Sequence, residues 1–254
     1  MSSQLLLSLA VGIFVGGVAG YLGTLMLGRR MTLVAGPLGH LTLPGIALAL
    51  IYGFDISLGA FPFVILGIVF IWLFEVRTKL PMEALTAVIF ASGVAMAFLF
   101  LPIGQAEAAL VGNISNVNIW DSAISVVLTA LVFLVIVKIY QKMVLINISE
   151  DLAKSQGINV KKINLVYLLL IAVIVALGVK IVGGLLTAAL AAIPACSARN
   201  LSKNMSQYAF GATVIGIVSS FLGILICEFS GFPAGPLIIL ANTAIFVIST
   251  VLKR

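Results

Sequence analysis

The stretch VLINISEDLAKSQGINV, residues 144–160, is the polar interruption that decides how the chain is built. Long apolar runs flank it on both sides, and it has room for a short helix of its own. Ser149 is placed to cap that helix. Glu150 and Asp151 fall in its first turn, where the helix dipole favours negative charge, and Gly157 is a natural stop. Leu152, Ala153 and Ile158 give it a small apolar side, while Lys154, Lys161 and Lys162 surround it with positive charge. A helix of about two turns cannot stand alone in water. The segment at about 147–160 must dock on the membrane domain, on another protein, or on both. Two readings follow: an ordinary capped surface helix, or a handle gripped by a cytoplasmic motor that passes its movement to the membrane helices.

The flanking runs set the class. Of the 254 residues, 62% are hydrophobic and 9% are charged, whereas a soluble domain carries about 25% charged residues. The chain therefore reads as one all-α, polytopic transmembrane domain spanning 1–254. The net charge of +6 would suggest nucleic acid in a soluble protein. Here membrane topology explains it, and no nucleic-acid partner is expected. The run from Gln4 lacks a basic leader and a convincing cleavage site, so it reads as a retained span. Cys196 and Cys227 lie in apolar runs without CxxC spacing and read as small buried side chains.

A span needs about 20 apolar residues. On that basis about nine are expected, with a range of eight to ten: Leu5–Leu27, Met31–Tyr52, Ser57–Phe74, Glu83–Leu101, Ala123–Tyr140, Ile163–Val179, Ile181–Ala198, Tyr208–Cys227 and Ala234–Leu252. If Arg29 and Arg30 are cytoplasmic, the N-terminus is outside and the C-terminus inside. Alternation then puts 13 of the 14 basic residues on the cytoplasmic side, with only Lys180 outside. This matches the positive-inside bias of membrane proteins. The outer loops hold Asp55, Glu107, Asp121 and Glu228. The outer stretch from Gly104 to Asp121 could receive a delivery protein or form a re-entrant cap.

The second span, MTLVAGPLGHLTLPGIALAL (Met31–Leu50), is unusual. Gly36-Pro37, Gly39-His40 and Pro44-Gly45 all fall within it, and proline removes a helix hydrogen bond and clashes with the preceding turn. Broken helices at membrane depth persist only inside protein or beside water. His40, the only histidine, would lie about 15 Å deep. An intramembrane histidine is a candidate pathway or gating residue; alternatively, it hydrogen-bonds a neighbouring helix. One histidine alone cannot hold a metal. In the first span, Gly12, Gly16 and Gly20 let a partner helix approach closely, within the subunit or between two copies. Of the polar residues at depth, Thr129, Thr187, Ser219, Ser220 and Thr243 read as mostly bonded to their own helices, and Asn242 as facing protein.

There is no P-loop, GxSxG, HExxH or cysteine cluster. No acid–base pair shares a helical face at depth, which argues against an enzyme. None of the eight acidic residues lies in the middle of a span, which argues against a carrier driven by an ion gradient.

The chain resembles the permease subunits of bacterial ABC importers for zinc, manganese and iron. The matching stretches run in the family's order: Met31–Leu50, MEALTAVIFASGVAMA (Met82–Ala97), EAALVGNISNV (Glu107–Val117), ISEDLAKSQGI (Ile148–Ile158), GGLLTAALAAIPACSARNL (Gly183–Leu201) and GFPAGPLIIL (Gly231–Leu240). The resemblance implies the fold shared with cobalamin and siderophore permeases and pairing with a second copy. It also implies two cytoplasmic ATP-binding subunits gripping Ser149–Gly157 as a coupling helix, and an extracellular or periplasmic metal-binding protein that delivers substrate. Transport by alternating access between the two copies would follow, with ATP used by the partner subunits and no cofactor held by this chain. His40 matches a histidine of the family's second span. The Asp that the family usually has four residues earlier is Gly36 here, which removes a charged oxygen ligand for a divalent cation. A metal chelate or another small solute is therefore an alternative cargo.

Overall fold

A computed structural model describes residues 3–28, 39–54, 56–100, 119–183 and 187–253. These fold into ten helices. They are α1 (Ser3–Gly28), α2 (Leu43–Tyr52), α3 (Ile56–Thr78), α4 (Met82–Phe100) and α5 (Ile119–Ile148). Then follow α6 (Glu150–Ser155), α7 (Val160–Val182), α8 (Thr187–Leu201), α9 (Met205–Ser230) and α10 (Ala234–Val251). Each of the nine expected spans overlaps one of these helices, and α6 is the tenth. Six of the helices, α1, α3, α5, α7, α9 and α10, are long and apolar enough to cross a membrane; α2 and α8 are shorter, and α4 contributes the shorter apolar stretch Ala84–Phe100.

The helices sort into two packed groups joined through α7. In one, α1 lies against α5, α8 and α9, and α10 closes on α8 and α9. In the other, α2, α3 and α4 pack on one another. The buried helix α7 touches α3 on one side and α1, α5, α8 and α10 on the other. Tyr167, Leu170, Ile171, Ala172, Ala176 and Leu177 bury different sides of it, as expected of a helix apolar all round. By contrast, α5 buries one stripe, Thr129, Val132, Ile136, Tyr140 and Met143, and exposes Val127, Leu131, Leu134 and Val137. Exposed apolar faces of this kind suit lipid or a second copy of the chain.

The glycines of α1 allow a close helix approach. A Cβ added at Gly16 would stand 2.8 Å from the Gly216 carbonyl oxygen, and one added at Gly216 would collide with the Gly16 carbonyl. One step along, Gly20 faces the Ala212 carbonyl and Gly23 the Ala191 carbonyl, while Gly12 meets Ile224. All of these contacts lie within one subunit. A second seam joins α2 to α3, where Gly45 and Gly59 face each other's carbonyls in the same way.

Several element ends differ from the sequence expectation. The fifth span does not stop at Tyr140: α5 continues to Ile148, because Met143 and Ile146 remain buried on its inner stripe. The seventh stretch does not begin at Ile181. Instead α7 runs on through Val182 and ends at Gly183, whose φ of 82° leaves the helix while its N–H still donates to the Val179 carbonyl. The second stretch is broken, as its prolines require. Residues 39–40 are helical and 41–42 form a turn, in which the Thr42 hydroxyl donates to the Gly39 carbonyl at 2.6 Å; α2 follows. Pro44 sits in the first turn of α2, where no N–H is needed.

Among the polar side chains at depth, Thr187, Ser219 and Thr243 donate to carbonyls of Gly183, Gly216 and Ile239. Asn242 is fully buried against protein. Thr129 and Ser220 depart from the expected self-bonding: neither hydroxyl has a hydrogen-bond partner among the described residues. Ser220 instead fills the space beside Gly16.

Candidate coupling and pathway sites

The polar segment forms a capped helix. Ser149 is extended (φ −158°, ψ 118°), and its hydroxyl accepts from the Leu152 N–H at 3.2 Å. Glu150 and Asp151 occupy the first turn. Lys154 pairs back to Asp151 at 3.3 Å and to Glu150 at 3.9 Å, all three exposed. Such surface pairs add little stability. Gly157 adopts φ 75° with open space around it, and the Ile158 N–H reaches back to the Ala153 carbonyl. Directly after this turn, the Asn159 side chain accepts from the Lys162 N–H and starts α7.

The two apolar residues of α6 point in opposite directions. Ala153 is 0% exposed and belongs to the main core, whereas Leu152 is 47% exposed. Only Leu152 could meet a partner; Ala153 holds the helix down on its own chain. The segment is thus anchored from below and presents Leu152, Glu150, Asp151 and Lys154 outward.

His40 lies just before α2, half-buried, with its ring 5.2 Å from that of Phe90 on α4 at an interplanar angle of 34°. Its Nδ1 is buried and has no hydrogen-bond partner among the described residues. The next residue, Leu41, is wedged between α3 and α4, where Gly67 and Gly93 leave room for it. Gly39 accepts the Thr42 hydroxyl and Gly45 forms the α2–α3 seam. Gly36 and Pro37 lie outside the described residues, as do Arg29, Arg30, Asp55, Glu107 and the outer stretch up to residue 118. Among the described residues, no group of three or more His, Cys, Asp or Glu side chains could hold a metal ion.

The structure also brings together helix ends that the sequence could not pair. The C-terminal ends of α1 and α5 and the turn between α8 and α9 share one face. They enclose a cleft of about 510 Å³ lined by Arg199, Lys203, Asn147 and Tyr208. The basic-residue reading assigns all three of these ends to the same side of the membrane. No motif marks the cleft, because its residues come from three segments far apart in the chain, at 24–28, 144–148 and 199–208.

Residues 1–253 match the family described as the ABC 3 transport family. The chain belongs to the ABC 3 transport family. It is a multi-pass membrane subunit of an ABC transporter, a transport component and not a catalytic one. This family member is 28% identical over 255 residues to the high-affinity zinc uptake system membrane protein ZnuB of Buchnera aphidicola, with 95% of each chain covered. It is 26% identical over 246 residues to the manganese import system permease protein ScaB of Streptococcus gordonii, covering 95% of this chain and 88% of ScaB. A solved structure of PsaBC from Streptococcus pneumoniae in complex with Fab superposes with a TM-score of 0.84 at 25% identity, over 98% of this chain and 91% of that one. The ABC 3 fold accounts for the all-α polytopic bundle read from composition.

Proposed function

We propose that the chain is the permease of an ATP-driven importer of divalent metal ions, zinc or manganese in the first place. Full-length similarity to ZnuB and ScaB carries this reading. In it, two copies enclose the pathway and open alternately to either side. Two ATP-binding subunits grip the α6 segment from the cytoplasm, and an external metal-binding protein delivers the ion. The N-terminus is outside and the C-terminus inside, in keeping with the basic residues.

The α6 geometry supports the coupling role. A short helix seated by Ala153 and capped by Ser149 packs against α5 and α7, so a push on Leu152 is passed to the membrane helices. His40 is a side chain at depth suited to touch a passing cation, and its Nδ1, without a partner among the described residues, supports that role. With Gly36 in the place of an acidic residue, the contact is a weak one. That favours passage over tight binding.

Growth rescue by individual metals tests the reading, with the chain expressed beside its ATP-binding and metal-binding partners in cells lacking their own importers. Zinc or manganese should rescue, and ATP depletion should abolish uptake. Rescue that survives ATP depletion but collapses with the membrane potential would overturn the proposal in favour of a gradient-driven carrier. His40→Ala should lower the apparent affinity for the metal several-fold; an unchanged concentration dependence would make the histidine structural.

A further inference from the structure

The cleft between α1, α5 and the α8–α9 turn has a chemistry that metal transport does not use. Arg199 and Lys203 are exposed on its wall, and no carboxylate among the described residues pairs with either. Among the described residues, no acidic side chain lines it. The N-terminus of the 26-residue helix α9 opens into it at Met205, with Asn204 as the cap. Tyr208, 7% exposed, lines it as well, and its hydroxyl has no hydrogen-bond partner among the described residues.

The C-terminal ends of α1, α5 and α8 reach the same face and oppose an anion with about half a charge each; the α9 N-terminus returns about half. The two full positive charges leave the cleft net positive by about one unit. Helix N-termini and unpaired basic groups together bind phosphate-type oxyanions.

We infer that this cleft is a binding site for a phosphate group, of the kind carried by an anionic lipid headgroup. Arg199 and Lys203 supply the charge, and the Tyr208 hydroxyl donates. The exposed apolar side chains of Ile148 and Met205 at its edge suit a lipid's glycerol and upper acyl carbons. Asn147 and Ile148, which line it, run directly into Ser149. An occupant would thus brace the root of α6. Only this last, regulatory meaning rests on the proposed coupling role; binding itself does not.

The test uses the full chain purified in phosphatidylcholine nanodiscs doped with phosphatidylglycerol, with retained lipid counted by native mass spectrometry. Wild type should retain phosphatidylglycerol in preference to phosphatidylcholine. Retention should fall about tenfold in R199Q/K203Q and about threefold in Y208F. It should not change in K161Q/K162Q, which removes two equally exposed charges elsewhere. Because Y208F deletes only an unbonded hydroxyl, it should melt no lower than wild type without phosphatidylglycerol, which separates lost binding from lost folding. Added inorganic phosphate identifies the source: displacement of the lipid means that the cleft reads phosphate alone, and persistence means that the lipid's glycerol and chains contribute. Equal retention of both lipids, or equal losses in R199Q/K203Q and K161Q/K162Q, would overturn the proposal.

Discussion

The seam between α1 and α9 and the short capped segment α6 are built on opposite principles. In the seam, two helix backbones touch: Gly16 and Gly216 face each other's carbonyls, and Gly20 repeats the contact against Ala212, while Gly23 meets Ala191 of α8 in the same way. Nothing there can grow. In α6, six residues are held by one buried alanine, one capping hydroxyl and a glycine turn. Almost everything else faces outward. The difference teaches which parts can transmit movement. A backbone-to-backbone seam moves as a rigid unit, because packed helices have no slack between them. A short capped helix on the end of a 30-residue one is a lever with a free outer face.

The comparison is broken most severely at the seam. Gly216→Leu puts a side chain where the Gly16 backbone already stands, and the helices must part. The expected cost is about 3 kcal/mol or more. The measurable outcome is loss of monodisperse protein on size-exclusion chromatography after extraction from membranes. The same change at Gly178, whose Cβ would meet only the Thr187 side chain at its nearest contacts, should be better tolerated. If Gly216→Leu folds normally, the seam is not rigid and the contrast with α6 disappears.

Next in size is Ala153→Arg. From the sequence, Ala153 reads as part of the docking face; the structure turns it inward at 0% exposure. The arginine must leave the core, and it can extend its charge toward water, so the expected loss is about 2 kcal/mol. Thermal melting should show it in the isolated permease, with no ATP-binding subunit present. An unchanged melting temperature would put Ala153 back on the surface.

That reversal shows what the sequence could and could not reveal. The spans were legible because 20-residue apolar runs have few alternatives in a membrane chain. The α6 helix was legible because Ser149, Glu150, Asp151 and Gly157 act locally, within a turn or two of where they stand. The break around His40 was legible because prolines act on their own helix. Facing directions were not. Leu152 and Ala153 are adjacent, and only the angle at which α6 meets α5 and α7 decides which is buried. Nor could sequence pair Gly16 with Gly216 or bring Arg199 beside Asn147, since those meetings depend on how helices far apart in the chain are arranged. Gly12, Gly16 and Gly20 announced a close contact but not its partner.

A smaller effect is expected at the cap. Ser149→Ala leaves the Leu152 N–H without its acceptor and should cost about 1 kcal/mol, all of it local to α6. Hydrogen exchange would show faster exchange at residues 150–155 with the seam of α1 unchanged. Faster exchange spread along α5 and α7 would mean that the segment is continuous with those helices and not a separable lever.

The least effect on folding, and the sharpest on function, belongs to Leu152→Asp. Leu152 is 47% exposed and covers no core, so the substitution should change the melting temperature of the isolated chain by no more than about 0.5 kcal/mol would. If Leu152 is an anchor in a groove of the ATP-binding subunit, however, a charge there is buried on assembly without a partner, and binding is lost by about tenfold or more. The two measurements belong together: a normal melt of the permease alone, beside loss of the ATP-binding subunit in co-purification. A variant that melts normally and still retains the subunit would remove α6 from the coupling path. One that loses both would show that Leu152 supports the fold, and the lever would then have no free face to be gripped by.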